Sequence, residues 1–524
     1  MNSDSPATVL SGAKRGRGLA HTTLSGLFWM AMGAGAQGFF QLLVTVVLAR
    51  LLTPADFGMV SATLVVVGFS TIFSQLGVGP AVVQHPSLGT AHLRTGFTLS
   101  ALFGLGMTFL IWGLTPVIAA FFRMDELIPV VRVMALVFAF QGLSVVSESL
   151  LQRELRFRKL AAIEVTALTG FGLIGVTLAY MGLGVWSLVA AYLSQATLKT
   201  ILLLVLVPHP RRPLLDRRAG AELMYFGGGF TAARMGNYFG AQGDSMVVGR
   251  WLGADALGYY GRAYQLMVAP AMLVGQILDR VLFPAMAKVQ GRSERLLTAF
   301  RRSVTLIAIL MFPVSLALFF LAPEVIHVLL GPRWTETVLP FQIFSLGLLF
   351  RTSYKMSDSV ARATGAVYRR AWRQWVFAGL VVGGAGLGSL WGVAGVAVCV
   401  SVAITCNFFL MAHLSLQLSG MSWKTFLLAH MPAASLGAVV GLESWALGSL
   451  LRGLDRPPIE ILAACAAALI VTVAALFKFL PGIFLGRDGV WMFETLAAYL
   501  PGRTKRFHVF LPVASSVTPG RTRI

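Results

Sequence analysis

Charged side chains are scarce in this chain. They make up 12% of its 524 residues, whereas 56% are hydrophobic, and the mean hydropathy is +0.77. These values lie well outside the range of soluble globular domains. The composition therefore excludes a soluble protein and indicates an integral membrane protein.

Cysteine is nearly absent as well. The three cysteines, Cys399, Cys406 and Cys465, all lie inside apolar segments, far from any loop where an oxidising compartment could pair them. A disulfide framework is therefore excluded, and we interpret these residues as small apolar side chains.

Motifs of soluble catalysis are also missing. The sequence has no Walker motif, no serine elbow and no paired carboxylates on an aqueous loop. The eight histidines are scattered, and no two of them have metal-ligand spacing on a shared helix. We therefore expect no catalytic residue, no metal and no cofactor, and the lack of an ATP site argues against a primary pump.

The positive charge has a simple explanation in membrane orientation. The formal net charge is +21, which could suggest nucleic acid, but the basic residues are distributed over many short loops. Most of the 42 Lys and Arg residues fall in alternate loops, as the positive-inside rule requires. Because orientation explains the charge, we expect no nucleic-acid partner. No cleavable signal precedes the first apolar span, so we expect a cytoplasmic N-terminal tail at 1–23.

Long apolar segments account for most of the chain. A helix needs about 20 apolar residues to cross the hydrocarbon core. The sequence predicts an all-α polytopic membrane protein with about fourteen spans, near 24–48, 57–80, 95–122, 127–150, 160–182, 184–207, 223–250, 257–283, 303–322, 337–361, 372–391, 392–418, 424–450 and 458–480.

An internal repeat relates the two halves. The stretch "VLARLLTPADFGMV" (47–60) aligns without a gap with "VVGRWLGADALGYY" (247–260), so that Arg50 matches Arg250 and Gly58 matches Gly258. Both stretches are predicted outer turns, and we expect the two arginines there to anchor to lipid phosphates or to line an exit. A repeat of six spans leaves both copies in the same orientation, which is typical of transporters with a site between the halves. Duplication for stability alone is the alternative.

The repeat predicts the domain organisation. We expect an N-terminal lobe at 24–207, a cytoplasmic linker at 208–222 and a C-terminal lobe at 223–418. An additional helix pair at 419–480 and a basic cytoplasmic tail at 481–524 follow.

Polar faces occur on the predicted spans of both halves. In the seventh span, Arg234, Asn237 and Asp244 have helical spacing that places them on one face. The first span offers Gln37 and Gln41 at matching positions.

The tenth span has a second polar face. Arg351, Lys355 and Asp358 recur at helical spacing. The fourth span, in the other half, also has a polar face, on which Glu148 occupies the place of Asp358; its members are Gln141, Ser144 and Glu148. An ionisable side chain at mid-membrane costs on the order of 3 kcal/mol or more, so each one is a functional hypothesis. The alternative is an ion pair that only fixes helix packing; it is plausible for Lys355 with Asp358, three residues apart.

Together these faces predict a central, mostly cationic cavity that suits an anion such as a phosphate. Its expected substrate-binding residues are Gln37, Gln41, Glu148, Lys199, Arg234, Asn237, Asp244, Arg262, Arg351, Lys355 and Asp358.

Three stretches carry a family resemblance: "ARLLTPADFGMVSATLVVVGFSTIFSQLGVGPAVVQ" (49–84), "LLQRELRFRKLA" (150–161) and "VWSLVA" (185–190). The chain, over about residues 20–480, resembles the polysaccharide transporter family of the multidrug/oligosaccharidyl-lipid/polysaccharide (MOP) exporter superfamily. Within that family it is similar to Wzx-type flippases of the colanic acid exporter kind.

The resemblance implies a V-shaped pair of six-helix lobes that works by alternating access. Such a protein flips undecaprenyl-pyrophosphate-linked oligosaccharides across the bacterial inner membrane for exopolysaccharide, capsule or lipopolysaccharide synthesis. The implied partners are the lipid-linked oligosaccharide, membrane lipids, and the polysaccharide polymerase and chain-length or export machinery.

Two other functions are weighed against this one. A cation-coupled multidrug antiporter of the same superfamily relies on carboxylates in the amino-terminal lobe, and the first three spans hold none. A membrane-embedded polysaccharide polymerase or ligase needs a large outer loop, and every predicted outer loop here is short.

Overall fold

The computed structural model describes residues 37–74, 77–288 and 293–491. Within these ranges the chain forms helices and turns and no strand. The predicted N-terminal tail (1–23), the beginning of the first span and the end of the C-terminal tail lie outside the described residues.

The helices are numbered here in chain order. They are α1 (Gln37–Leu51), α2 (Pro54–Ser74), α3 (Val78–Gln84), α4 (Thr90–Phe122), α5 (Leu127–Met134), α6 (Leu136–Arg153), α7 (Phe157–Tyr180), α8 (Val185–Leu206), α9 (Arg217–Trp251), α10 (Gly253–Lys288), α11 (Ser293–Phe320), α12 (Ala322–Leu329), α13 (Val338–Ala363), α14 (Val367–Gly388), α15 (Gly392–Ser419), α16 (Trp423–Gly453), α17 (Pro458–Phe479) and α18 (Pro481–Phe484).

The predicted all-α polytopic class is confirmed. Each predicted span overlaps a helix, although the first span is described only from Gln37 onward. Among the described residues, nine segments are long and apolar enough to cross a membrane. Helices α9, α10 and α13 have the necessary length but are more polar, because they hold most of the ionisable residues that the sequence predicted inside the membrane.

The described chain divides into two compact units. The first unit comprises residues up to 280 together with 329–340 and 371–403, and the second unit comprises 281–328, 341–370 and the residues from 404 onward. The predicted lobe boundaries stay a prediction.

Close helix packing in the first unit depends on small residues. A Cβ added at Gly104 of α4 would lie 2.5 Å from the Phe138 oxygen of α6. A Cβ at Gly142 would likewise lie 2.4 Å from the Ser100 oxygen. Glycines at a crossing let two backbones touch, which is how helices associate where no hydrophobic effect drives them together.

The two copies of the repeated motif contact each other within the first unit. A Cβ at Gly58 of α2 would lie 1.8 Å from the backbone oxygen of Ala254, and a Cβ at Gly258 of α10 would lie 2.0 Å from that of Pro54. Pro54 and Ala254 are themselves matched positions of the repeat. The contact is therefore reciprocal, each glycine resting on the first turn of the other copy.

The matched arginines of the repeat cap helix ends. Arg250 donates through Nη1 to the carbonyl oxygens of Ala120 (3.1 Å) and Phe121 (2.7 Å) at the end of α4. Arg50 Nε lies 3.5 Å from the Leu329 oxygen at the end of α12. Both guanidinium groups thus bind carbonyls at the negative end of a helix dipole. Their binding to lipid phosphates, or their lining of an exit, stays a prediction.

Part of the predicted linker at 208–222 is helical, because α9 begins at Arg217. The Asp216 side chain accepts from the Ala219 N–H at 2.8 Å and so caps the new helix. The preceding extended segment is fixed to α4: Arg94 Nε donates to the Arg212 oxygen at 2.9 Å, and the Leu214 N–H donates to Thr98 Oγ1 at 3.1 Å.

The second unit is organised around α11 and α16. A Cβ at Gly437 of α16 would lie 2.1 Å from the Phe312 ring of α11, so these helices also meet at a small residue. Near the far end of α16, Arg452 forms a double hydrogen bond with Glu324 at 2.7 and 2.8 Å and also donates to the Phe320 oxygen at 2.7 Å. The Glu324 side chain is only 4% exposed.

Candidate functional site

Two cavities with polar walls lie inside the first unit. The larger, of about 380 Å³, is formed by α2, α5, α6 and α8. The smaller, of about 40 Å³, lies among α1, α2, α7, α8 and α10. Leu64 and Tyr192 line both, so the two cavities adjoin.

Helix α6 contributes one polar wall of the larger cavity. Gln141, Ser144 and Glu148 follow at intervals of three and four residues and line the cavity together. That spacing repeats once per helical turn, which keeps all three side chains on one face. This is the face that the sequence predicted for the fourth span.

Helix α8 contributes the opposing wall and an ion pair. Lys199 Nζ lies 3.1 Å from both carboxylate oxygens of Glu148, and 3.8 Å from Glu164 Oε1 of α7. Thr200 Oγ1 donates to the Phe140 oxygen at 2.9 Å and holds α8 against α6. The predicted residues Glu148 and Lys199 are thus brought together, although they are 51 residues apart in sequence.

The smaller cavity contains a second cation. Arg262 of α10 and Gln41 of α1 line it, and the Arg262 guanidinium lies 4.5 Å from the centre of the Phe57 ring. Such a cation–π contact offsets part of the cost of desolvating the charge. Within the described part of the chain, Arg262 Nε has no hydrogen-bond partner, which leaves a donor available beside the cavity.

The predicted residues of α9 have separate environments. Asp244 is 3% exposed and accepts from the Tyr260 hydroxyl at 2.7 Å and from the Ser245 N–H at 2.7 Å. The Asn237 side chain is exposed, and the Arg234 side chain lies outside the described residues. Asp244 therefore joins α9 to α10 and lines neither of the two cavities, and Gln37 of α1 lines neither of them.

The predicted residues of α13 belong to the second unit. Asp358 forms ion pairs with Arg362, at 3.1 Å, and with Arg370 of α14. It therefore connects the end of α13 to the start of the next helix. Arg351 and Lys355 are half-buried on the same helix.

Sequence reasoning missed two polar residues of this region, Tyr192 and Gln195. Tyr192 and Gln195 line the larger cavity with Lys199, and Glu164 completes the carboxylate pair around that lysine. Tyr192, Gln195 and Lys199 have the same spacing of three and four residues as the wall on α6. The periodicity that identified the α6 face could therefore have found the α8 face as well.

The larger cavity is not predominantly cationic. Lys199 is its cation, and two carboxylates lie within 4 Å of that cation. Two amides, two hydroxyls and a phenol complete the polar lining. Such a wall presents both donors and acceptors, which suits a neutral polyhydroxyl group better than a simple anion. The adjoining Arg262 supplies the chemistry for a phosphate.

Apolar helices of spanning length around a buried polar cavity define a multi-pass membrane protein that can hold a polar solute. The fold agrees with this class. The structure superposes on the inward closed conformation of the lipid II flippase MurJ with a TM-score of 0.71, 13% identity, and coverage of 86% of this chain and 99% of that one. It also matches the inward-facing conformation of a multidrug resistance MATE family transporter of the MOP superfamily, with a TM-score of 0.57, 14% identity, and coverage of 76% and 95%.

The chain belongs to the family described as polysaccharide biosynthesis protein, whose model matches residues 47–339, more than half of its length. It is 25% identical over 446 residues to the lipopolysaccharide biosynthesis protein WzxC of Escherichia coli K12, covering 83% of this chain and 89% of the relative. It is also 26% identical to the succinoglycan biosynthesis transport protein ExoT of Rhizobium meliloti, covering 63% and 67%.

Proposed function

We propose that this protein is a flippase of the bacterial cytoplasmic membrane. It carries undecaprenyl-pyrophosphate-linked oligosaccharide repeat units from the inner to the outer leaflet by alternating access, for synthesis of a cell-surface polysaccharide. One observation supports it above the others: in a chain of the polysaccharide biosynthesis family, the described helices surround a polar cavity with a half-buried Glu148–Lys199 pair. We further propose that both termini are cytoplasmic, because most Lys and Arg residues fall in the loops of that side.

The size and lining of the two cavities indicate which part of the substrate each one holds. A volume of about 380 Å³ lies within the range of small-molecule sites and far below that of a polyprenyl chain. We therefore assign the sugar head group to the larger cavity and the pyrophosphate to the neighbourhood of Arg262. The polyprenyl tail stays in the lipid.

The direct experiment measures the leaflet distribution of the labelled lipid-linked repeat unit. In a deletion strain the unit should accumulate in the inner leaflet, and the wild-type gene should restore its outward movement. Unchanged outward movement in the deletion strain would rule out the proposal. Export of organic cations by the same protein would instead support a drug antiporter, and polymerisation by the purified protein would support an enzyme.

The cavity assignment has a separate test. Arg262→Gln should lower outward movement at least tenfold, because the fork of donors for the pyrophosphate is lost, while protein abundance stays normal. Arg250→Gln is the matched control, since that side chain binds the end of α4 and lines neither cavity. Arg234→Ala and Arg351→Ala test the predicted cationic residues in the second half of the sequence, and wild-type movement in both would remove these two residues from the site.

A further inference from the structure

Three side chains from three segments of the chain converge at the cytoplasmic end predicted for the first unit. His85 follows α3, His92 lies in the first turn of α4, and Glu222 lies in the second turn of α9. His85 Nε2 and His92 Nε2 lie 3.1 and 3.0 Å from the same oxygen, Glu222 Oε2. The two imidazole rings are 4.5 Å apart between centroids, at an angle of 42°.

We propose that His85, His92 and Glu222 form a binding site for a divalent transition-metal ion, with Zn²⁺ as the best fit. The sequence predicted no metal site, because its histidines lack ligand spacing on any shared helix. The three ligands meet only through the tertiary packing of α3, α4 and α9.

The donor set matches zinc chemistry. Two imidazole nitrogens and one carboxylate oxygen are the ligands of His₂Glu zinc sites, in which a water takes the fourth position. Neighbouring ligand atoms around tetrahedral zinc are about 3.3 Å apart, and the two nitrogen–oxygen distances here are within a few tenths of an ångström of that value. A hard cation such as Mg²⁺ would prefer oxygen ligands throughout.

Neighbouring groups form hydrogen bonds with two of the proposed ligands, Glu222 and His92. Arg218 Nε lies 3.3 Å from the other carboxylate oxygen, Glu222 Oε1, and orients the group. The Gly89 N–H is 3.3 Å from His92 Nδ1, a long hydrogen bond. A metal at Nε2 moves the ring proton to Nδ1, so this long hydrogen bond is broken when the ion binds.

The proposed metal site is open to water on one side and lies between helices. The His85 side chain is 7% exposed and the Glu222 side chain 38%, so the site has a buried floor and one side open to water. Arg153 Nη1 donates to the His85 backbone oxygen at 2.6 Å and to the Val82 oxygen at 2.9 Å, which fixes the end of α3. A bound ion would connect α3 and α4 to α9, directly after the segment that links the two predicted lobes.

The test measures Zn²⁺ affinity of the full-length protein in detergent, without a histidine tag, by competition with a chromophoric chelator. We expect one equivalent of Zn²⁺ to bind and a rise in the midpoint of thermal unfolding on adding it. Glu222→Gln keeps an oxygen that accepts from the histidines but is a poor zinc ligand, and it should weaken binding at least tenfold. His92→Ala should do the same.

His413→Ala is the matched control, because His413 contacts Gln417 on α15 and lies in the second unit. The Zn²⁺ affinity of the His413→Ala variant should equal that of the wild type. Binding by Glu222→Gln within twofold of the wild type, or no stoichiometric binding by the wild type, overturns the proposal. Neither result bears on the flippase proposal, which is tested by leaflet distribution.

Discussion

Lys199, which lines the larger cavity, forms ion pairs with both Glu148 and Glu164. We predict that Lys199→Met lowers the free energy of unfolding by about 1–2 kcal/mol, because it leaves two carboxylates facing each other in a half-buried site. Glu148→Gln in the Lys199→Met background should recover part of this loss. The double-mutant cycle should give a coupling of about 1 kcal/mol in thermal unfolding.

The same variants separate stability from transport. The double variant should stay deficient in outward movement of the lipid-linked unit, although its stability is partly restored, because both polar contacts to the substrate are gone. Wild-type transport by the double variant would show that the pair only packs the helices.

A second pair, Glu324 with Arg452, has a structural role. We predict that Glu324→Gln costs about 3 kcal/mol, because the Glu324 carboxylate is almost fully buried and holds the end of α16 to α12 through two hydrogen bonds. The measurement is thermal unfolding in detergent. Glu460→Gln is the control: its partner Arg456 lies 3.7 Å away and both are exposed, so the change should stay within about 0.5 kcal/mol.

Among the helices, the α2–α10 contact is the most sensitive to added volume. We predict that Gly58→Ala lowers stability by about 3 kcal/mol or more, because its Cβ would lie 1.8 Å from a backbone oxygen that cannot move alone. Gly258→Ala should have a similar effect. Membrane abundance and the unfolding midpoint report both.

The control is Gly261, which lies one turn after Gly258 on α10. A Cβ at Gly261 would meet only the Ser61 side chain at 3.6 Å, an ordinary contact. Gly261→Ala should therefore be neutral or slightly stabilising, since alanine favours the helix. Equal losses from Gly58→Ala and Gly261→Ala would contradict the close packing of the two motifs.

Helices were the part of the fold that the sequence predicted well. Apolar length determines a span almost alone, and the match of Arg50 with Arg250 predicts a duplication. Contacts between helices were harder to predict from the sequence. Asp358 pairs with Arg370 only because the α13–α14 turn brings them together, and the convergence of His85, His92 and Glu222 requires the packing of three helices. Periodicity describes one face of one helix and does not say which face it will meet.

For the whole molecule, the alternating loop charges make a topology prediction. In a variant lacking the three native cysteines, Cys introduced at Arg212 should react with a membrane-impermeant maleimide only after the cells are opened. Cys introduced at Asp455, in the turn between α16 and α17, should react in intact cells. Both positions are exposed, so burial does not confuse the result. The reverse labelling pattern would invert the predicted orientation.

The reciprocal contact of Gly58 and Gly258 also has an evolutionary consequence. A surface that meets its own copy through matched residues has the form of an isologous dimer interface. A half-length ancestor with one such motif could therefore have paired with a second, identical chain in the same way. Fusion of the two genes would then have preserved the contact while freeing each copy to change, as Pro54 and Ala254 have done at matched positions.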